Sequence, residues 1–154
     1  MIINRDNSKK SLTKFRKSTS ILLVVAPYYG TITDKLVEGA KEIVDKANVK
    51  IELINVPGAL EIPTAIKFAS NHFSGFVALG CVIRGETSHY ETVTTESARA
   101  LSCLGLSGLC VGNGILTVEN YEQAIARADP LGQNKGGEAA IAALRLIELK
   151  NKFN

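Results

Sequence analysis

The sequence predicts an α/β protein, a three-layer α/β/α domain around a four-stranded parallel sheet. Three observations lead there. Apolar runs with the look of buried strands begin near residues 21, 49, 75 and 109. Between them, apolar residues recur at the three- and four-residue spacing of amphipathic helices. The resulting period of roughly 30 residues suits successive βαβ units, whose right-handed crossovers give a parallel sheet covered on both faces.

Taken in order, Ile21–Pro27 is a continuous apolar run containing two valines, as in a strand buried on both faces. From Thr31 to Ala47, the residues Ile32, Leu36, Ala40, Ile43 and Ala47 form one helical stripe, with Thr31 or Thr33 available as a cap. Val49–Val56 is the second strand, with Val49, Ile51 and Leu53 on one face. Pro57-Gly58 turns the chain into a helix from Ile62 to His72, where Pro63 is tolerated in the first turn. Gly75–Cys81 is the third strand, and His89 to Leu104 is helical. Leu109–Leu116 is the fourth strand. A short helix, Asn120 to Ala128, stops before Pro130, and a last one spans Gly136 to Lys150 with Ala140, Leu144 and Ile147 inward. With no linker or repeat in view, residues 20–154 read as one flavodoxin-like domain.

The 154 residues suffice for one domain with a real core. Their 45% apolar and 21% charged content excludes a disordered or collagen-like chain. No apolar run approaches the ~20 residues of a membrane span, and no membrane partner is expected. The net charge of +3 is unevenly placed. Residues 1–20 hold six of the 18 basic residues and only one of the 15 acids, Asp6, so the remaining body is slightly acidic. Residues 1–19 therefore read as a basic, flexible arm. It lacks the interleaved aromatics of a single-strand binder, and no nucleic-acid partner is expected. Three cysteines without a CxxC fit neither a disulfide framework nor a zinc site; no metal is expected, and a reducing cytoplasm fits best.

Ligands of open α/β sheets bind outside the carboxyl ends of the strands. That rule selects Tyr28-Tyr29-Gly30, Pro57–Glu61, Val82–Tyr90 and the region around Asn113. The third loop is the richest. Gly85-Glu86-Thr87-Ser88 precedes a helix, where outward N–H groups and a glycine make a ready anion site. An ordinary helix start capped by Thr87 or Ser88 explains the same residues. His89 lies beside that loop, and an imidazole is a side chain suited to proton transfer near neutrality, although a lone surface histidine looks the same in sequence. His72 reads as structural. Cys81 ends the third strand as either a nucleophile or, more simply, a small buried side chain. Glu61 could accept bonds from hydroxyls or serve the next helix dipole. Tyr28 could stack on a flat ring or merely pack. Arg127 and Lys135 are anion partners or solvated charges. No GxxxxGK[ST] occurs, Gly112-Asn113-Gly114 is a fragment of a dinucleotide fingerprint, and Cys81 stands where a receiver domain needs an acid.

Four segments in order carry a specific resemblance: Val56–Pro63, Leu79–Tyr90, Gly114–Asn120 with Glu122-Gln123-Ala124, and Asn134–Gly137. Together they resemble the lumazine synthases of riboflavin biosynthesis, from about residue 21 to the end. The resemblance implies condensation of 5-amino-6-(D-ribitylamino)uracil with 3,4-dihydroxy-2-butanone 4-phosphate to 6,7-dimethyl-8-ribityllumazine, releasing phosphate and water. It implies no cofactor. By resemblance, Tyr28 stacks on the pyrimidine, and Ala59, Leu60 and Glu61 line the ribityl side. Cys81, Val82 and Ile83 offer backbone contacts to the heterocycle. Gly85, Glu86 and Thr87 hold the phosphate with Arg127, and His89 is the general acid/base. Asn113, Arg127 and Lys135 come from a neighbouring subunit.

Three departures from the family pattern stand out. Asn113 replaces an aromatic, Tyr28 replaces the commoner phenylalanine, and the Asp129–Gln133 segment differs from the kink typical of shell-forming members. The last tilts the expectation towards a free homopentamer rather than a sixty-subunit shell. The rival reading is a non-catalytic flavin or lumazine carrier on the same scaffold, which would have no need of a proton shuttle.

Overall fold

Side chains of a strand alternate between the two faces of its sheet, and here the alternation divides the core in two. Ile21, Leu23 and Val25 point to one face, and Leu22, Val24 and Ala26 to the other. The computed structural model describes residues 11–154. Its elements are β1 (Ser20–Val25), α1 (Gly30–Lys46), β2 (Lys50–Asn55), a 3-10 turn (Ala59–Glu61), α2 (Ile62–Phe68), β3 (Gly75–Ile83), α3 (His89–Leu106), β4 (Val111–Val118), α4 (Tyr121–Ala128) and α5 (Lys135–Phe153). The sheet order is β2-β1-β3-β4, with every pair parallel. Helices α1, α4 and α5 cover one face, and α2 and α3 the other, as the three-layer prediction requires.

The first face is packed backbone to backbone. A Cβ on Gly112 would lie 1.9 Å from the Ala139 carbonyl oxygen, and one on Gly136 would lie 2.1 Å from that of Leu36. Only glycine lets α5 sit this close to both β4 and α1. Leu36, Val44 and Leu144 are fully buried there, each contributing about 2 kcal/mol by leaving water. Asn134 opens α5 in the left-handed region at φ 49°, and its side chain accepts the Gly137 N–H at 3.2 Å.

The structure corrects several local expectations. Strand β4 is displaced two residues along the chain from the predicted Leu109–Leu116. Leu109 N–H instead donates to the Leu104 carbonyl at 3.2 Å, closing α3 after Gly108 turns at φ 104°. Thr117 and Val118 continue the ladder against Val82 and Ile83. Asn113 therefore pairs with Ala78 in mid-sheet and is not at a carboxyl end. Helix α2 stops at Phe68, short of His72, because the last turn tightens: Ala69 and Ser70 donate to carbonyls three residues back. Neither Thr31 nor Thr33 caps α1. Tyr29 holds the cap position, and the Thr33 hydroxyl donates back to the Tyr29 carbonyl. Strand β2 is an edge, with Leu53 and Ile54 both partly exposed.

Of the basic arm, Arg5, Asp6, Lys9 and Lys10 lie outside the described residues. Leu12 and Phe15 pack against the first-face core, and the Thr13 backbone and hydroxyl both donate to Glu148 on α5. Burial alone would raise the Glu148 pKa; these bonds and Arg145 outweigh it and hold the carboxyl below its ordinary value.

Candidate functional site

The chain reverses its direction of travel across the sheet between β1 and β3, which makes their carboxyl ends the natural crevice for a ligand. Strands β1 and β2 end at the level of Leu79, whereas β3 runs on to Ile83 paired only with β4. From Gly80 onward the β1-side edge of β3 thus has no strand against it. This leaves a step in the sheet beyond the bond from the Ala26 N–H to the Leu79 carbonyl at 2.9 Å.

Tyr28 and Tyr29 stand at this step. Tyr28 is 78% exposed, and its ring meets that of Tyr29 edge to face at 4.9 Å. Burial, then the neighbouring Tyr28 and Cys81, push the Tyr29 phenol above its ordinary pKa. On the β2 side, Ala59 is buried and Leu60 and Glu61 are exposed. The Glu61 backbone N–H closes the turn on the Gly58 carbonyl at 3.2 Å, and its carboxylate folds over Gly58, where an added Cβ would meet it at 3.0 Å.

Cys81 is buried, and burial pushes its thiol up to about 11. So little thiolate at neutral pH makes it a packing residue and a poor nucleophile. Val82 and Ile83 are half-buried, and the chain then opens into Gly85, Glu86, Thr87 and Ser88, all exposed. A Cβ on Gly85 would meet nothing within 4 Å, so there is open space where an anion would approach. Ser88 is the cap residue of α3, yet neither it nor Thr87 makes the expected cap bond; the Thr87 hydroxyl instead accepts the His89 N–H at 3.3 Å. His89, the first residue of α3, is exposed.

Arg84 dominates the charges around this loop. Its guanidinium pairs with Glu91 on α3, donates from Nε to Glu119 after β4 at 2.8 Å, and lies 4.2 Å from the Tyr90 ring centroid. The hydrogen bond with Arg84 holds Glu91 below the ordinary carboxylate range. Sequence reasoning assigned neither Arg84 nor Glu119 a role. No local signal joins residues 35 apart; only the β3–β4 register does.

Three predicted residues stand apart from this cluster. Asn113 is exposed in mid-strand on the α2/α3 face, its side chain accepting the Ile115 N–H at 3.0 Å. Arg127, in the last turn of α4, donates to the Gln123 carbonyl at 3.1 Å. Lys135, opening α5, pairs with Glu138 at 2.8 Å. Among the described residues, no hydrogen bond or ion pair links any of them to the Gly85–His89 loop. His72 is exposed and lines a cavity of about 800 Å³ with Lys50, Glu52 and Phe73. That cavity lies at the amino ends of the strands, away from the loops above. Among the described residues no group of three His, Cys, Asp or Glu side chains could hold a metal, and no helix is long and apolar enough to cross a membrane.

Residues 18–151 match the family model of 6,7-dimethyl-8-ribityllumazine synthase. The chain is 53% identical over 135 residues to the 6,7-dimethyl-8-ribityllumazine synthase of Zymomonas mobilis, covering 86% of this chain and 97% of that protein. It is 51% identical to that of Jannaschia sp. over 144 residues, 92% of this chain and 81% of the relative. With that of Bartonella tribocorum it shares 51% identity over 146 residues, covering 92% and 97%.

Proposed function

The chain belongs to the 6,7-dimethyl-8-ribityllumazine synthase family, and from that premise we infer its reaction and the residues that perform it. It condenses 5-amino-6-(D-ribitylamino)uracil with 3,4-dihydroxy-2-butanone 4-phosphate, forming 6,7-dimethyl-8-ribityllumazine and releasing phosphate and water. The observation that carries the residue assignment is the step at the carboxyl ends of β1 and β3. An exposed aromatic and the open edge of β3 lie there, and the loop we assign to the phosphate continues from that edge.

Tyr28 stacks on the pyrimidine, and the free edge of Cys81–Ile83 supplies backbone donors and acceptors to its polar rim. Ala59 and Leu60 flank the ribityl chain, and Glu61 accepts from its hydroxyls. Gly85, Glu86 and Thr87 surround the phosphate with backbone N–H groups at the start of α3, where the helix dipole favours an anion. His89 exchanges protons with the amine and the developing leaving groups. Amine attack on the ketone gives an imine with loss of one water, phosphate is eliminated, and ring closure of the ribitylamino nitrogen on the resulting carbonyl, with loss of a second water, completes the product. Holding the two reactants in register supplies much of the rate.

Asn113, Arg127 and Lys135 reach this site from a neighbouring copy. Their separation from the loop within one chain supports that reading, as do the exposed Leu53 and Ile54 on the β2 edge and Leu131 in the α4–α5 connection. A homopentamer in the cytoplasm is the assembly we propose. Mixing both substrates with the purified protein tests the reaction. Lumazine absorbance and phosphate release rising together above the uncatalysed rate is the expected result. Tight riboflavin binding with no turnover would replace the enzyme with a carrier.

A further inference from the structure

We propose that Arg84 is a positioning residue: it closes the phosphate loop on itself and couples that loop to α4, so that the phosphate substrate meets a site already shaped. This inference rests on the reaction proposed above.

The loop Gly85–Ser88 has little to hold it. Around it, His89 N–H reaches the Thr87 hydroxyl at 3.3 Å, and Thr92 N–H reaches the Ser88 carbonyl at 3.4 Å, both at the long end for hydrogen bonds. Arg84 stands immediately before the loop; Tyr90 and Glu91 stand just after its helix start. The guanidinium lies over the Tyr90 ring while pairing with Glu91, so one side chain spans the loop. Its backbone N–H is fixed by the Val118 carbonyl at 3.0 Å.

The same guanidinium continues outward. Nε donates to Glu119, the Glu119 backbone N–H donates to the Gln123 side chain at 2.8 Å, and the Gln123 carbonyl accepts from Arg127 at 3.1 Å. The chain of contacts runs from the phosphate loop to the arginine assigned to a neighbour's phosphate. A lone exposed ion pair does little. A planar fork with two carboxylates from different elements and an aromatic face fixes an orientation that an ammonium cannot.

Positioning and simple charge make opposite predictions at Glu119. Removing a carboxylate beside an anion site should tighten phosphate binding if only the field matters. If the carboxylate holds Arg84 in place, removing it should weaken binding. The experiment measures kcat and both KM values for wild type, Arg84→Met, Arg84→Lys and Glu119→Gln, with inorganic phosphate as competing inhibitor and melting temperature as control.

Arg84→Met should raise KM for the phosphate substrate about 10-fold and weaken inhibition by phosphate to match, with KM for the uracil within about 2-fold of wild type. Glu119→Gln should move the same constant in the same direction, and Arg84→Lys should recover only part of the loss. If Arg84→Met does not fold, Glu119→Gln carries the test alone. A KM for the phosphate substrate that falls or stays level in Glu119→Gln overturns the positioning role. Equal rises in both KM values would do the same. A wild-type protein that makes no lumazine removes the reaction itself, and this inference with it; an active wild type with unmoved variants removes only the inference.

Discussion

The two faces of the sheet are built to different standards. On the face of α1, α4 and α5, backbone meets backbone through Gly112 and Gly136, and Leu36, Ala40, Ala140 and Leu144 are fully buried. On the face of α2 and α3 the buried set is smaller, and it leaves Asn113 and Thr117 of β4 exposed along with much of α3. The loop we assign to phosphate leads into α3, on the sparser face. The dense face fixes the strands and hence the step at their carboxyl ends. The sparse face leaves exposed surface beside the loop we assign to phosphate. Stability and chemistry should therefore respond to substitutions on different faces.

The largest effect should come from Gly136→Ala. Its Cβ would collide with a main-chain carbonyl that cannot swing aside, at a cost of about 3 kcal/mol. A lower urea midpoint at unchanged slope would register it; an unchanged midpoint would mean the two helices separate easily and the contrast between faces is false. Next is His89→Ala. Turnover should fall about 100-fold without vanishing, since positioning remains. Its melting temperature should match wild type because the side chain is exposed. A turnover equal to wild type would remove His89 from the mechanism.

A smaller effect belongs to Glu148, where the segment after residue 10 is tied to the dense face. Its depressed pKa means that the contribution is present above the unfolded carboxylate pKa and is lost as pH falls through the folded one. The melting temperature gap between wild type and Glu148→Gln should be widest near neutrality and close in acid. A gap independent of pH would show that packing, not charge, anchors the segment. The smallest belongs to Gly105 on the exposed side of α3, where an added Cβ meets nothing within 4 Å. Gly105→Ala should stabilise by about 0.5 kcal/mol through helix propensity. Destabilisation there would reveal that this part of α3 is covered in the assembly.

Much of this was legible in the sequence because hydrophobic period is a local signal. The four strands and five helices appear in the predicted order, and the carboxyl-end rule led to the β1, β2 and β3 loops before any contact was known. The misplacements have physical causes. Leu109 and Cys110 are apolar and look like strand, but Gly108 uses its positive φ to close α3 there. Thr117 hides the continuation of β4 because it faces outward. Asn113 lies inside both the predicted and the observed strand, so the carboxyl-end rule does not apply to it. Arg84 lies in the Leu79–Tyr90 segment with no role legible in the sequence, because its partner Glu119 is brought near only by strand register. The second chain that we propose completes the site would account for Asn113, Arg127 and Lys135 not meeting the loop within one chain.

That last point is the centre of the account, and mixed assemblies test it directly. Chains carrying His89→Ala and chains carrying Arg127→Ala, each impaired alone, are unfolded, combined and refolded into common oligomers. Because a loop from one chain and an arginine from its neighbour then share some sites intact, turnover should rise above that of either variant. Co-assembled oligomers with no gain over the separate variants would place the whole site within one chain and contradict the account.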